Sequence, residues 1–360
     1  MKAGIIGFPL VGKTTLFKIL TKAQVDTSKF GGKLEAHIGI SLVPDDRLNE
    51  LSKLFVPKKT TPATVEYIDV AGLVKGDANN ATQLGNLKNV DALLNVVRAF
   101  TDDAIPHSEG TINPKRDIVN LELELILSDL AIIEKRLERL SKDLKKQKNA
   151  EFEREHELLV SCKSWLENEK PLRSMDLNED QKRILRGFMF LSEKPILHVL
   201  NLSDEEAGRI ERAIETYELA GTAGLPNVAL SAVCGKIEAE LAELPDEDVG
   251  AFLADYGLKE SGLNRLIRVT YELLGLISFF TVGEDECRAW TIRRGTTALK
   301  AAGVIHSDIE RCFIRAEVVP CNKLLELKSL AAAREKACLR LEGKEYVVQD
   351  GDVINFRHSG

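Results

Sequence analysis

The 360-residue sequence lacks the features of several protein classes. No apolar run approaches the roughly 20 residues of a membrane-spanning helix, and the first predicted strand begins almost at Met1, which leaves no room for a signal peptide. The net charge of −7 argues against a protein that coats nucleic acid wholesale. We therefore expect a cytoplasmic protein with free thiols and no membrane contact. Its six cysteines form no C-x-x-C pair, so neither a zinc site nor a disulfide framework is predicted: Cys162, Cys234, Cys287, Cys312, Cys321 and Cys338.

A phosphate-binding loop stands directly after the apolar run Ala3–Ile6. The next residues read G-F-P-L-V-G-K-T, the complete G-x-x-x-x-G-K-[ST] pattern, and an amphipathic helix pattern follows. The glycines let backbone N–H groups surround phosphates, Lys13 adds a charge for the β- and γ-phosphates, and the Thr14 hydroxyl is placed to bind Mg²⁺. The pattern predicts that a nucleoside triphosphate binds with Mg²⁺ at Gly7, Pro9, Val11, Gly12, Lys13, Thr14 and Thr15.

Three further motifs follow, each at the end of a strand-like run. The run from Asp69 to Gly72 matches the D-x-x-G of GTPase-like folds, in which the Asp holds Mg²⁺ and the Gly amide contacts the γ-phosphate. Asn201–Asp204 and Ser231-Ala232 take the places of the base-reading N-K-x-D and S-A-K elements. This order predicts a P-loop NTPase with its ligand at the carboxyl edge of a parallel sheet. The predicted metal ligands are Thr14 and Asp69, and the added nucleotide contacts are Gly72, Asn201, Leu202, Asp204, Ser231 and Ala232.

The nucleotide-domain pattern breaks off near residue 118 and resumes near 186. Two apolar stripes joined by a polar turn predict an antiparallel coiled-coil hairpin over 119–185, inserted into a domain of 1–118 and 186–277. Its role stays open between a brace for that domain and a partner-binding arm. If it is an arm, replacing 119–183 with a linker leaves nucleotide binding measurable. The predicted seam is Ile126, Leu130, Ile133, Leu137, Leu140 and Leu144 against Phe152, Leu159, Cys162 and Leu166.

From about residue 278 the sequence changes to short alternating strands. It predicts strands at Arg288–Ile292 and Cys312–Glu317, one helix at Thr297–Ile305, and a closing hairpin of Lys344–Val348 with Val353–Phe356. This order predicts a small β-grasp domain over 278–360. Trp290 is favoured as a core residue over a base-stacking one. Five basic residues form either a nucleic-acid patch or a solvated face: Arg293, Arg294, Lys300, Arg311 and Arg315.

Together these strings resemble the YchF family of Obg-like ATPases over nearly the whole chain. The resemblance implies an α/β fold in which a P-loop G domain carries an inserted coiled-coil hairpin and a C-terminal TGS domain. It also implies a cytosolic ATPase that associates with ribosomes or other RNA assemblies. The strings that carry it are Gly7–Thr14, Asp69–Gly76, Val96–Phe100, Gly262–Arg268, Arg288–Thr291, Phe313–Glu317 and Val348–Asp352.

The chain departs from this family pattern at two positions. Leu10 replaces an Asn associated with a monovalent-cation site in related GTPases, so potassium activation is not carried over. Lys33 replaces a Thr of the first switch, and a lysine cannot ligate Mg²⁺. Leu73 stands where many GTPases have a water-orienting Gln, as it does in the family. His107 matches a histidine proposed to act in the family, so Lys13 and His107 are the candidate catalytic residues, with a non-catalytic loop histidine as the alternative.

Three functions remain open from the sequence. They are an ATPase switch, a GTPase of the same architecture, and a mainly non-catalytic ribosome or RNA binder that uses the nucleotide as a structural ligand. Asp204 keeps an acceptor that suits guanine, whereas Leu202 replaces the usual Lys and Asn201 suits either purine. This mixed pattern predicts that both nucleotides bind, and the family resemblance favours ATP, by about tenfold or about 1.4 kcal/mol.

Overall fold

The structure is a computed structural model that describes residues 1–21, 37–70, 73, 80–107, 109–147 and 149–359. The chain divides into two compact units, one of Met1–Ile40 with Glu66–Leu273 and one of Ser41–Val65 with Leu274–Gly360. The predicted nucleotide contact Gly72 lies outside the described residues. Within the described ranges, no helix is both long and apolar enough to cross a membrane. The three-domain division drawn from the sequence stays a prediction.

The elements of the described residues are numbered in chain order. The strands are β1 (Lys2–Ile6), β2 (His37–Leu42), β3 (Lys59–Thr61), β4 (Thr64–Asp69), β5 (Ala92–Arg98), β6 (Ile196–Asn201), β7 (Val228–Val233), β8 (Leu276–Thr281), β9 (Glu286–Arg293), β10 (Phe313–Pro320), β11 (Arg340–Glu342) and β12 (Asp352–His358). The α-helices are α1 (Lys13–Thr21), α2 (Asp46–Phe55), α3 (Asn80–Gly85), α4 (Pro114–Lys146), α5 (Ala150–Glu167), α6 (Glu179–Leu185), α7 (Ala213–Thr216), α8 (Ala220–Ala223), α9 (Gly235–Glu243), α10 (Asp246–Asp255), α11 (Gly262–Leu273), α12 (Ala298–Ile305), α13 (Ser307–Arg311), α14 (Cys321–Leu327) and α15 (Leu330–Glu335). Turns of 3-10 helix span Leu172–Ser174, Arg186–Phe188 and Asp204–Arg212.

A parallel sheet forms the centre of the first unit. Its strand order is β2-β4-β1-β5-β6-β7, and each neighbouring pair from β4 to β7 runs parallel. Every residue of β5 and β6 is buried, as expected for the inner strands of a parallel sheet. The register pairs Ile5 with Asp69 and Arg98 with Asn201, so the carboxyl ends of these strands meet at one edge. The predicted α/β fold is confirmed.

The inserted segment folds as an antiparallel pair of helices, α4 and α5. Asn113 caps α4 and Pro114 occupies its first turn, which explains why this helix begins before the predicted residue 119. Asn149 caps α5. Arg136 on α4 donates two hydrogen bonds of 2.7 Å to Glu155 on α5. The predicted seam residues other than Leu144 belong to one core cluster, and its most deeply buried members from the seam are Ile126, Ile133, Leu140, Leu159, Cys162 and Leu166.

Buried charged groups join the first half of α4 to the sheet. The Arg173 guanidinium donates to both carboxylate oxygens of Glu122 on α4, at 2.7 and 2.8 Å. The same carboxylate lies 3.6 Å from Nε2 of His198 on β6. Asp129, which is fully buried on α4, accepts two backbone N–H groups from the segment before β6. The first half of α4, which carries Glu122 and Asp129, is therefore part of the core of the first unit.

We expect a short deletion in the hairpin to be tolerated and a long one to unfold the first unit. Replacing 134–157 with a Gly-Ser linker removes only the distal part of the two helices. Replacing 119–183, which the arm interpretation expects to leave nucleotide binding measurable, also removes Glu122, Asp129 and Arg173. It leaves Nε2 of His198 and the backbone N–H groups of Leu191 and Ser192 without these partners, at a cost of about 3–5 kcal/mol or more. Circular dichroism and thermal unfolding of both shortened chains measure the difference. A cooperatively folded 119–183 deletion would contradict this expectation.

A mixed sheet forms the second unit, in the order β11-β10-β12-β8-β9-β3. Strand β12 pairs antiparallel with β10 and parallel with β8, while β9 pairs antiparallel with β8 and parallel with β3. Helix α12 contributes Ala298, Ala301 and Ala302 to a core that also contains Phe279 and Val318. Small residues on α12 let the helix approach the sheet closely, so one compact core forms beneath it.

Two details predicted for this unit are wrong. Lys344–Val348 is not a strand of a closing hairpin, because its backbone pairs at the start of α12. The Tyr346 carbonyl accepts the Ala298 N–H at 2.7 Å, and the Val348 N–H donates to the Thr296 carbonyl at 3.0 Å. Residues 278–360 also contain α13, α14 and α15 besides the predicted helix. These helices have ten residues or fewer, too short to show a clear helical period in the sequence.

Trp290 is half-buried and packs against the core of the second unit. Its Nε1 donates to Thr281 Oγ1 at 3.0 Å, and the Arg288 guanidinium carbon lies 3.9 Å from its ring centre. Two of the five predicted basic residues, Lys300 and Arg311, form ion pairs with acidic side chains. Trp290 therefore packs as the sequence analysis favoured, against the core of the second unit.

Candidate functional site

The predicted phosphate loop connects β1 to α1, and two of its positions require glycine. Gly7 has φ +145°, and a Cβ there would lie 2.5 Å from the Val96 carbonyl oxygen. Gly12 has φ +94°, and a Cβ there would lie 2.4 Å from Nδ2 of Asn201. Leu10 also has a positive φ of 62°, a conformation that side-chain-bearing residues other than Asn and Asp adopt at a cost. The loop is therefore shaped by main-chain geometry that tolerates no side chain at either glycine.

Lys13 is the first residue of α1, and its side chain is buried. Its Nζ donates to the Phe8 carbonyl oxygen at 2.6 Å. Burial lowers the pKa of Lys13 to about 8, and the Asp69 carboxylate opposes this shift. The ammonium group is thus held inside the loop by a neutral carbonyl, which the charged oxygens of a triphosphate can replace with stronger hydrogen bonds.

Thr14 and Asp69 lie together next to this lysine. Oγ1 of Thr14 is 3.5 Å from Oδ2 of Asp69. The other carboxylate oxygen, Oδ1, is buried and has no hydrogen-bond partner among the described residues. Burial raises the pKa of Asp69, although the charges of Lys13 and His37 and the Thr14 hydroxyl oppose it. A hydroxyl beside an unpartnered carboxylate oxygen fits a hard cation such as Mg²⁺, which takes oxygen ligands.

A cavity of about 730 Å³ opens beside the loop and holds several predicted residues. Gly12, Thr15, Asn201, Leu202 and Asp204 line it. This volume is within the roughly 300–1,000 Å³ of small-molecule sites. Its combination of apolar walls with a few charged groups suits a purine ring. Among the other lining residues are Leu10, Phe100, Ile105 and Ala239, which are apolar, and Asp102, Ser203, Lys236 and Glu240, which are polar.

Asn201 connects two loops at the edge of this cavity. Its Nδ2 donates to the Val11 carbonyl at 3.0 Å, and its Oδ1 accepts the Gly235 backbone N–H at 3.0 Å. The residue is only 8% exposed, so its amide is built into the structure and holds the phosphate loop against the start of α9. This positioning role was not visible in the sequence, and direct contact of Asn201 with the base stays a prediction.

Ser231 and Ala232 do not line the cavity. The sequence placed Ser231-Ala232 at the end of a strand-like run, but β7 continues to Val233 and keeps both residues inside the sheet. Gly235 and Lys236 line the cavity instead. The sequence feature that could have identified this part of the cavity is Gly235, which follows an apolar run and begins a helix. A nucleotide contact by Ser231 or Ala232 stays a prediction without support from this placement.

His107 lies outside the cavity lining, and both of its ring nitrogens have partners. Nδ1 accepts the Glu109 backbone N–H at 3.0 Å, and Nε2 is 3.3 Å from Oδ2 of Asp117. A neutral imidazole in this arrangement carries its proton on Nε2 and has no lone pair left for a water. Leu73 is also buried and has no polar group to orient a water. A catalytic role for His107 stays a prediction.

Arg98 organises the loop that forms one wall of the cavity, and the sequence analysis did not identify it. The side chain is buried at the end of β5, and its guanidinium carbon lies 4.5 Å from the centre of the Phe100 ring. The available signal was an arginine at the end of a largely apolar strand, because a buried guanidinium needs several acceptors. It donates at between 2.8 and 3.3 Å to the carbonyl oxygens of Phe100, Asp102, Ile105 and Pro106.

Two protein families match parts of the chain. The family MMR_HSR1, described as 50S ribosome-binding GTPase, matches residues 2–131. The family YchF-GTPase_C, described as a protein of unknown function (DUF933), matches residues 276–359. The first match includes the phosphate loop, and the second covers most of the second unit.

Individual proteins are similar over the full length. The Bacillus subtilis (strain 168) protein named Ribosome-binding ATPase YchF is 46% identical over 363 residues, which cover 99% of each chain. The Escherichia coli O157:H7 protein of the same name is 40% identical over 363 residues, covering 99% of this chain and 98% of its own. The solved structure of the Schizosaccharomyces pombe YchF GTPase has a TM-score of 0.86 and 31% identity, covering 99% of this chain and 97% of its own.

Proposed function

Because this chain belongs to the YchF family, we propose that it is a ribosome-binding ATPase whose ATP and Mg²⁺ bind at the cavity beside Gly7–Thr14. The observation that carries the proposal is the pair of Thr14 and Asp69, whose buried Oδ1 has no partner among the described residues. The names of the relatives support ATP as the substrate and the ribosome as the partner. Association with ribosomes supports a cytoplasmic location.

The chain is a P-loop NTPase, and its own residues account for phosphate binding. The backbone N–H groups of the loop surround the phosphates, and the positive φ at both glycines allows the main chain to turn in this way. Lys13 exchanges the Phe8 carbonyl for phosphate oxygens and neutralises part of their charge. Thr14 and Asp69 would hold Mg²⁺, which supplies further charge neutralisation when bound.

Hydrolysis in this arrangement relies on positioning and charge neutralisation. Phosphoryl transfer draws most of its acceleration from these two effects, and the loop with Lys13 supplies both. Leu73 has no group to orient a water, and Nδ1 of His107 must first release the Glu109 N–H before it can accept a proton. We therefore propose slow intrinsic turnover that rises only when a rearrangement or a partner supplies the missing group.

A GTPase of the same architecture is the second candidate. Asp204 lines the cavity, and a carboxylate suits the N1–H and 2-amino donors of guanine. The solved relative from Schizosaccharomyces pombe is named a GTPase. Both candidates use the same phosphate loop, so only the base distinguishes them.

Competition between ATP and GTP with Mg²⁺ present tests the choice of base. We expect both nucleotides to displace a fluorescent analogue, with ATP bound about tenfold more tightly, or about 1.4 kcal/mol. A GTP preference of roughly a hundredfold or more, about 2.8 kcal/mol, would instead establish the GTPase and make Asp204 its guanine acceptor. Single-turnover phosphate release in the same samples separates an enzyme from a protein that only binds the nucleotide.

Replacing Arg98 with methionine is expected to weaken both nucleotides alike. The methionine keeps much of the stem volume but leaves four carbonyl groups of the cavity wall without their donor, so the wall loses its fixed shape. We expect an affinity loss of about tenfold for ATP and for GTP. Competition binding measures it, with the exposed Arg212→Met as the control. A change in only one of the two affinities would contradict a role in shaping the wall.

A further inference from the structure

An ion pair lies across the cavity between two separate stretches of chain. Asp204 begins the turn of 3-10 helix after β6, and Lys236 is the second residue of α9. The Lys236 ammonium donates a hydrogen bond to Oδ2 of Asp204, and both residues line the cavity. The carboxylate in the position of a base reader is therefore already bonded to a cation.

The first turn of α9 is held in place for this contact. The Gly235 N–H is bonded to Oδ1 of Asn201, whose Nδ2 is bonded to the phosphate loop. Lys236 therefore starts from a backbone position that is fixed relative to that loop. The hydrogen bond from Lys236 lowers the pKa of Asp204, and the same bond raises the pKa of Lys236, so both groups stay charged at neutral pH.

Several other polar groups of the cavity lining already form hydrogen bonds within the protein. The Ser203 hydroxyl donates to Glu206, and Asp102 accepts the Ala104 backbone N–H. Asn201 has both ends of its amide engaged. Among the lining carboxylates, Asp204 is the one at the position of the base-reading motif, and Lys236 is its hydrogen-bond partner.

We propose that Lys236 is a specificity-determining residue, which holds the Asp204 carboxylate and thereby withdraws it from guanine. This inference rests on the proposed nucleotide site. Guanine presents two donors, N1–H and the 2-amino group, and recognising both requires a carboxylate that is free to use two oxygens. Adenine presents an N1 lone pair, which a free carboxylate repels. An ion pair, which carries no net charge as a whole, repels that lone pair less. The ion pair therefore favours ATP by disfavouring GTP.

A double-mutant cycle tests this proposal with ATP and GTP as competitors. Lys236→Met keeps the stem but frees Asp204, and we expect the ratio of ATP to GTP affinity to shift toward GTP by about tenfold. Asp204→Asn alone is expected to change the ratio by less than about twofold. In the Lys236→Met background, Asp204→Asn is expected to reverse the shift, because it removes the acceptor that Lys236→Met released.

Glu240→Gln in the Lys236→Met background is the matched control. It removes the same charge from the cavity lining as Asp204→Asn, but Glu240 has no hydrogen bond to Lys236, so the shifted ratio is expected to persist. An unchanged ratio in Lys236→Met, or a shift toward ATP, would overturn the proposal. An equal loss for both nucleotides would overturn it too, while leaving the proposed function intact. Failure of the unmodified protein to bind either nucleotide would reject the proposed function itself.

Discussion

Replacing Lys13 with alanine is expected to abolish measurable triphosphate binding and turnover. The side chain is buried within the phosphate loop and its ammonium is held by the Phe8 carbonyl at 2.6 Å, so no other cation in the loop can substitute for it. Loss of a charge that contacts two phosphates is expected to weaken ATP by roughly a hundredfold or more, about 2.8 kcal/mol. Displacement of a fluorescent ATP analogue and single-turnover phosphate release measure the two effects.

The control for this variant is Lys18→Ala, because Lys18 is an exposed lysine on the same helix. Lys13→Ala also affects folding stability, because the Lys13 side chain is buried. The buried Phe8 carbonyl loses its donor, which costs about 1–3 kcal/mol. Thermal unfolding must therefore accompany the binding assay. Unchanged affinity and turnover in a folded Lys13→Ala protein would reject the site.

Replacing Arg173 with methionine is expected to destabilise the first unit by about 3–5 kcal/mol, because it leaves the Glu122 carboxylate buried without its main partner. Burial by itself raises the pKa of Glu122, and His198 and Arg173 together outweigh that effect and hold the pKa below its ordinary value. Trp165 lies in the first unit and Trp290 in the second, so urea unfolding followed by fluorescence in a Trp290→Phe background reports the first unit alone.

The exposed Arg183→Met serves as the control and is expected to stay within about 0.5 kcal/mol of the parent protein. Adding Glu122→Gln to Arg173→Met removes the unpaired charge and is expected to recover part of the loss. With Arg173 present, the lowered pKa of Glu122 contributes stability above its unfolded pKa that is lost as the pH falls. Without Arg173 that contribution is absent, so the difference between the two proteins is full at pH 7 and shrinks as the pH falls below the unfolded pKa of about 4.3. A difference that does not change with pH would contradict the assignment to Glu122.

Much of the fold was predictable because its elements follow local periodicity. The apolar runs before Gly7, Asp69 and Asn201 are strands of one parallel sheet, and the stepped leucines and isoleucines after Ile126 form the seam of the helical hairpin. The error at Lys344–Val348 has the opposite cause. That segment pairs with the start of α12, a distant stretch of chain, and nothing in its own residues distinguishes this pairing from a hairpin.

The candidate site divides in the same way. Gly7, Gly12, Lys13 and Thr14 belong to one contiguous stretch, so their spacing alone predicts a phosphate-binding loop. Asp69 could be added from the order of motifs, since neighbouring parallel strands end at the same edge. The end of β7 could not be located, because apolar residues continue beyond Leu230 and conceal where the strand stops.

The sequence by itself determined the nucleotide chemistry and the helical seam, because both depend on residues close together along the chain. The tertiary structure alone decided which distant residues meet. It joins Asn201 to Val11 and Gly235, Arg98 to the loop that follows it, and Lys236 to Asp204. Such contacts depend on strand register and on which polar groups burial forces to find partners. The spacing of residues along the chain predicts neither the strand register nor these polar partners. The partners come from separate strands and helices, and the packing of those elements sets the distance between them.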